Sequence, residues 1–219
     1  MNTRQTGPGW NSDKAVGQRQ PFTDDELGWL CHYHAKMGNW HDLCLISSAT
    51  DSMLRAGDLL GLRVGDVTYP DGRVRERLAR KQQKTKHNVF PALTPNTQAR
   101  VAQWVLTSGK QPHHFLFTRS KAVDAAAIGR GQDAKQVKRW AEWAGQFGGE
   151  YSTHSIRRTK PRIMYVAGED IALISRLLGH KSIGVTLDYL GIEQDAADAA
   201  TLRYDLIGRS RLRKPAEVT

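Results

Sequence analysis

Between Val67 and Leu93 the chain changes texture, and that change limits the folds open to it. On either side apolar residues recur at helical spacing. Inside the stretch, "VTYPDGRVRERLARKQQKTKHNVFPAL" holds a Pro-Asp-Gly turn, an alternating segment, a basic turn at Lys84 to His87 and a short apolar run. Alternation bounded by turn residues predicts a small antiparallel sheet of two or three strands. The expected fold class is therefore α+β: mostly helical, with one small antiparallel sheet of about three strands.

The helical parts carry their own punctuation. In "PFTDDELGWL" Thr23 is placed to cap a helix, with Glu26 three residues on completing a capping box. A Leu- and Ile-rich helix is expected over about 40–50, and a short one in "GDLLGL" after Arg55. Thr94 or Asn96 can cap "TPNTQARVAQWVLTS". In "QDAKQVKRWAEWAG" Val137, Trp140, Ala141 and Ala144 fall on one helix face and Lys135, Lys138 and Arg139 on the other. Helices resume from 153 to about 190, broken at Gly168 and Gly179. Pro161 is an obstacle inside that run, because proline removes a helical hydrogen bond and clashes with the preceding turn. It implies a helix that starts near Thr159 or one that kinks.

Residues 1–19 are polar, Gly-rich and unpatterned and read as a flexible N-terminal arm; 20–207 read as one folded domain, and 208–219 as a basic C-terminal tail. At 219 residues, the chain is long enough for a real core. Its net charge of +10 favours a polyanionic partner. A membrane is the weakest candidate, since no run of eighteen apolar residues is present and the first residues lack an apolar signal core. Without a secretion signal, Cys31 and Cys44 are expected as reduced core residues in a cytoplasmic protein. The "CHYH" of Cys31 to His34 lacks a second ligand pair, so no metal is expected there.

The densest chemistry lies in "HSIRRTK" and "LGHKSIGVTLDYLGI". A phosphodiester resists attack because its own oxygens repel a nucleophile. Arginine answers this with a permanent charge and a planar fork of donors. His154 and Arg157, three apart, point the same way on a helix. His180 follows Gly179, a natural helix C-cap. Tyr189 lies beyond "SIGVT", at a spacing that lets a short helix return its phenol toward the histidine. Arginines holding a phosphate while a tyrosine attacks it is the reading these residues support.

Together, "ATDSMLRAGDLLGLRVGDV", "HSIRRT" and "LLGHKSIGVTLDYL" resemble the three signature boxes of the tyrosine recombinases, or phage-type integrases, in the family's order. The resemblance covers about 20–195. It implies catalytic roles for Arg55, Lys84, His154, Arg157, His180 and Tyr189, with Asp58 as a supporting acid that orients an arginine. Lys81 and Lys86 remain rivals of Lys84 as general acid. Tyr189 is implied to form a bond to the DNA 3′ end, its ionisation favoured by nearby guanidinium charge, in a reaction that needs no metal, nucleotide or other cofactor. Lys81, Lys86, Lys135, Lys138 and Arg139 are the candidate DNA-contacting cations.

Full-length members begin with a further helical domain, so the chain is similar to catalytic-domain-only members such as the small recombinases that invert fimbrial promoter segments. The implied partners are double-stranded DNA, further copies of the chain (a tetramer at synapsis) and accessory DNA-bending proteins; the implied location is the nucleoid. Rival readings are a catalytically silent DNA-binding regulator of the same fold, a type IB topoisomerase-like relaxing enzyme, and a basic RNA-binding protein, which no aromatic-rich RNA-binding strand supports.

Overall fold

In the computed structural model, residues 19–120, 122–146, 151–191 and 201–202 are described. The arm at 1–18, the tail at 208–219 and most of the stretch 192–207 lie outside them. The first helix, α1 (Asp24–Lys36), opens with the expected capping box: Thr23 accepts from the Glu26 N–H, and the Glu26 carboxylate accepts from the Thr23 N–H. Next comes α2 (Trp40–Ser52), buried along nearly its whole length from Leu43 to Ser52. It is the hub of the fold and packs against α1 and against three later helices. It ends at Met53, a non-glycine residue in the left-handed region (φ 50°). Arg55 then leads into α3 (Ala56–Leu60), and α4 (Val64–Val67) follows.

The alternating region yields two strands, not about three. β1 (Arg80–Lys81) and β2 (Asn88–Val89) pair antiparallel, Arg80 against Val89 and Lys81 against Asn88. The stretch before them closes on itself as a turn. Tyr69 N–H bonds to the Arg73 carbonyl across Pro70–Gly72, and a single bridge joins Thr68 to Val74. Arg73 and Arg75 lie over the Tyr69 ring, at 5.4 and 4.5 Å. Side-chain stacking, rather than a ladder, organises this segment.

Beyond the hairpin, α5 (Pro95–Ser108) starts from Thr94, the first of the two expected caps. α6 (Arg130–Trp143) buries Asp133, Val137, Trp140 and Ala141 and leaves Lys135, Lys138 and Arg139 exposed. α7 (Thr153–Val166) continues unbroken through Pro161, instead of starting near Thr159. Proline forfeits the bond onto the Arg157 carbonyl, but contacts on both sides hold the helix. Thr159 Oγ1 donates to Ser155 O and accepts from the Phe22 N–H, and Lys160 Nζ pairs with buried Asp51 at 2.6 Å. α8 (Ile171–Leu178) and α9 (Ile183–Leu190) complete the described chain.

Two apolar clusters result. The larger joins α1, α2, α3, α5, α6 and the hairpin through residues such as Leu30, Leu45, Leu59, Val89, Leu116 and Trp140. The smaller consists of Met53, Ile174, Leu178 and Leu190, with Tyr165 and Tyr189 packed on it. Cys31 and Cys44 are free thiols, and burial pushes Cys44 up to about 12. The residues of "CHYH" face different neighbours: Cys31 lies beside Arg100, while His34 is buried against Trp140 and Trp143. No helix among the described residues is long and apolar enough to cross a membrane.

Candidate active site

Ser152 caps α7 by accepting from the His154 N–H, so the helix begins just before the residues that carry the chemistry. His154 and Arg157 therefore sit one turn apart. Arg157 is only 3% exposed. Its Nε donates to the Met53 carbonyl at 2.6 Å and its Nη2 to the Leu178 carbonyl at 3.0 Å. A left-handed non-glycine residue is disfavoured by about 1–2 kcal/mol; here the Met53 turn supplies one of the two carbonyls that anchor the guanidinium. Two of the five arginine N–H donors are thus used on backbone, and the others remain for an anion.

Arg55 follows Met53 by two residues and caps α3 in an extended conformation, without a side-chain bond to the helix. Its Nη1 donates instead to Gln82 Oε1 at 2.6 Å. Asp58, 1% exposed, accepts the backbone N–H of Gln83 at 2.8 Å. No hydrogen bond between Asp58 and an arginine side chain is present among the described residues. Its hydrogen bond fastens the hairpin to α3, while its charge supports the Arg157 cation from a distance. Lys84 is exposed in the turn between β1 and β2, and is one of the cations that hold the His154 ring below its ordinary pKa. Lys81, on β1, and Lys86, in the left-handed region at φ 59°, are also exposed.

The third segment is the α8–α9 corner. Gly179 ends α8 at φ +66°, and a Cβ there would lie 2.9 Å from both Gln82 Nε2 and Val89 Cγ1, so conformation and close approach both require glycine. His180 follows, with Nδ1 3.0 Å from Thr186 Oγ1. α9, capped by Ser182, brings Tyr189 back. The Tyr189 ring lies edge-on to His180 at 5.2 Å and to His154 at 6.5 Å, with Arg157 Cζ 5.3 Å and Arg158 Cζ 5.4 Å from its centroid. Its hydroxyl is buried and has no hydrogen-bond partner among the described residues.

Electrostatics follow from burial and crowding. Burial, then the Arg157 and Arg55 charges, push His180 down to about 4. Burial also lowers His154, reinforced by Arg157, Arg55, Arg158 and Lys84. For Tyr189 burial raises the pKa and outweighs the lowering by Arg157, Arg158 and Arg55. The guanidinium charges do favour the phenolate, as expected, but in the protein without DNA desolvation of the anion is the larger effect and the net shift is upward.

Arg55, Lys84, His154, Arg157, His180 and Tyr189 thus converge from four separate parts of the sequence. Lys135, Lys138 and Arg139 stand apart on the exposed face of α6. Two site neighbours escaped sequence reasoning. Arg158, 6% exposed, stacks on Tyr189 while its Nη1 donates to the Arg19 carbonyl. Gln82, 1% exposed, contacts Arg55. Neither has a local signal: one is the second arginine of a pair, the other a glutamine in a basic turn. Among the described residues no group of His, Cys, Asp and Glu could hold a metal ion.

The profile of the phage integrase family matches residues 21–195. A probable integrase/recombinase of Bacillus subtilis, YoeC, is 27% identical over 162 residues, which is 74% of this chain and 83% of that protein. A tyrosine recombinase of Pseudothermotoga lettingae is 24% identical over 164 residues, covering 74% of this chain and 54% of that protein. Among solved structures, XerA recombinase superposes with a TM-score of 0.67 at 16% identity, covering 86% of this chain and 66% of that one. XerH site-specific recombinase bound to its difH substrate superposes at 0.65 and 18% identity, covering 84% of this chain and 54% of that one. These likenesses show a common fold; apart from the Bacillus protein, the chain spans about half to two thirds of each.

Proposed function

The chain belongs to the phage integrase family, and on that premise we propose that it cuts and rejoins DNA through a tyrosine bonded to the DNA 3′ end. The Tyr189 oxygen attacks the scissile phosphorus, the bond to the 5′ oxygen breaks, and the released strand end later reverses the step. Bond energy is conserved in the phosphotyrosyl link, so neither nucleotide nor metal is required. Arg55 and Arg157 bind the non-bridging oxygens and stabilise the added charge of the five-coordinate transition state. Lys84, in an exposed turn whose charge is felt at His154, supplies the proton to the departing oxygen. His154 and His180 donate to the phosphate or relay the phenolic proton, and His180 is oriented by Thr186. Asp58 supports the site through the hairpin.

The observation that carries this reading is the meeting of Arg157, His154 and His180 around the Tyr189 ring, with Arg55 tied to Arg157 through Gln82 and the Leu178 carbonyl. Double-stranded DNA is the substrate, cut by several copies of the chain on paired sites with help from DNA-bending proteins. Lys81, Lys86, Lys135, Lys138 and Arg139 would grip its backbone. A second reading, a silent DNA-binding regulator of the same fold, draws on the buried Tyr189 hydroxyl. One experiment separates the two. Nicked duplexes built from repeats mapped beside the coding region are incubated with the protein in chelator and run on a denaturing gel. A covalent adduct that vanishes in Tyr189→Phe supports the enzyme. Retarded DNA without any adduct supports the regulator, and relaxation of supercoiled plasmid without strand exchange supports a topoisomerase-like activity.

A further inference from the structure

Gln82 sits where the three parts of the site meet, and its bonds are all of one logic. Its Oε1 accepts from Arg55 Nη1 at 2.6 Å and from Thr85 Oγ1 at 2.6 Å. Its Nε2 faces the Leu178 carbonyl at 3.4 Å. That same carbonyl accepts from Arg157 Nη2 at 3.0 Å. A chain of contacts therefore runs Arg55, Gln82, Leu178 O, Arg157, and joins the two guanidinium groups. The amide cannot be reversed, because flipping it would set its NH₂ against a guanidinium and its oxygen against a carbonyl.

The residue type follows from the same contacts. A lysine or arginine here offers no acceptor to Arg55. A glutamate offers an acceptor but sets a negative charge against the Leu178 carbonyl and neutralises Arg55, whose charge a phosphate needs. A neutral amide with both functions meets both demands. Gln82 is 1% exposed, and its N–H and carbonyl also close the turn that bears Lys84, bonding to His87 O and the Lys86 N–H. The close approach of Gly179 to Gln82 Nε2 keeps the α8 end against this turn.

We propose that Gln82 is a positioning residue that holds Arg55 and the Lys84 turn in register with Arg157. The role deepens the strand-transfer reading above and rests on it for its kinetic consequence. A displacement of about 1 Å at a positioning contact can lower a rate by about 10²-fold.

The test uses the full chain with a nicked duplex and, in parallel, ¹⁵N-arginine side-chain spectra. In Gln82→Met the single-turnover rate of adduct formation should fall about 10- to 100-fold, while affinity for the duplex stays within about 2-fold and the melting profile stays cooperative. Adding Gln82→Met to Arg55→Ala should do less damage than Gln82→Met does alone, since the Arg55 contact is already lost. Gln82→Glu, which keeps the acceptor, should retain the Arg55 resonance position better than Gln82→Met and still cleave slowly. Wild-type rates in Gln82→Met, or rate losses that multiply in the double variant, overturn the proposal. If no DNA yields an adduct with the wild type, the spectra decide. A moved Arg55 resonance in Gln82→Met then sustains the coupling while the strand-transfer reading fails, and an unmoved one removes the coupling. Should Gln82→Met not fold, Gln82→Ala, which also removes both amide functions, carries both arms.

Discussion

The larger apolar cluster and the smaller one hold opposite halves of the candidate site. Leu59 and Leu60 of α3 and Val89 of the hairpin belong to the larger, so Arg55, Asp58 and Lys84 are mounted on the main core. Tyr189 rests on the smaller, made of Met53, Ile174, Leu178 and Leu190, and His180 follows directly from it. Around that smaller cluster Ile163, Val166, Leu173, Ile183 and Val185 remain exposed. Arg157 spans the two, buried beside Ile156 of the large core while bonded to the carbonyls of Met53 and Leu178. The difference teaches how the site divides its tasks. The side proposed to bind the phosphate oxygens is backed by the larger cluster. The side of the proposed nucleophile is more lightly packed, as segments that move tend to be, and its phenol is buried; on the proposed reading it emerges to meet a phosphate.

Removing the residue that joins the halves should have the largest effect. Arg157→Ala takes away one transition-state donor, which typically lowers the rate about 10²- to 10³-fold, and strips the Met53 and Leu178 carbonyls of a partner, each worth about 1–3 kcal/mol when buried. Single-turnover adduct formation and urea denaturation check both. Loss of rate without loss of stability would show that the two clusters are not tied through this residue.

Truncation within each cluster sharpens the contrast. Leu116→Ala in the large core should destabilise by about 3–5 kcal/mol and leave the rate per folded molecule nearly unchanged. Leu190→Ala should destabilise less, by about 2 kcal/mol, because the thinner cluster can relax or admit water. It should nonetheless change the rate more, since Tyr189 is its neighbour. Equal stability losses with no effect on rate would break the comparison.

Acid should act mainly on the nucleophile side. His180 is depressed from 6.5 to about 4, so between those values the unfolded chain binds the proton that the folded chain refuses. Stability is then complete above about pH 6.5 and declines as pH falls through the window. Melting curves at pH 5, 6 and 7 should show the decline, and His180→Gln should reduce it. The smallest effect belongs to the outlying cations. Lys135→Gln, Lys138→Gln and Arg139→Gln should each lower the salt slope of DNA binding by about 0.9 for every phosphate that the cation neutralises, without altering adduct formation at saturating DNA. An unchanged slope would make the α6 face ordinary solvated surface.

What could be read from the chain was what is encoded locally. The Thr23–Glu26 box, the Gly179 cap and the spacing from His180 to Tyr189 each depend on a few neighbouring residues, and each appears as expected. What could not be read depends on distant partners. The helix passes Pro161 because Asp51 and Phe22 hold Lys160 and Thr159. Asp58 bonds to the hairpin backbone across 25 positions. Gln82 matters through Arg55 and Leu178, and Arg158 through Tyr189. The raised phenol pKa is likewise a consequence of burial, which no spacing of arginines reveals.

The central claim is that one phenol among these arginines is the group that joins DNA. Trapping the protein on nicked duplex, digesting with nuclease and trypsin, and sequencing the peptides by mass spectrometry tests it most directly. The nucleotide should be found on Tyr189, within the tryptic peptide 182–203. Attachment to Tyr151, Tyr165 or Tyr204, or trapped complexes in which every tyrosine is unmodified, would contradict it.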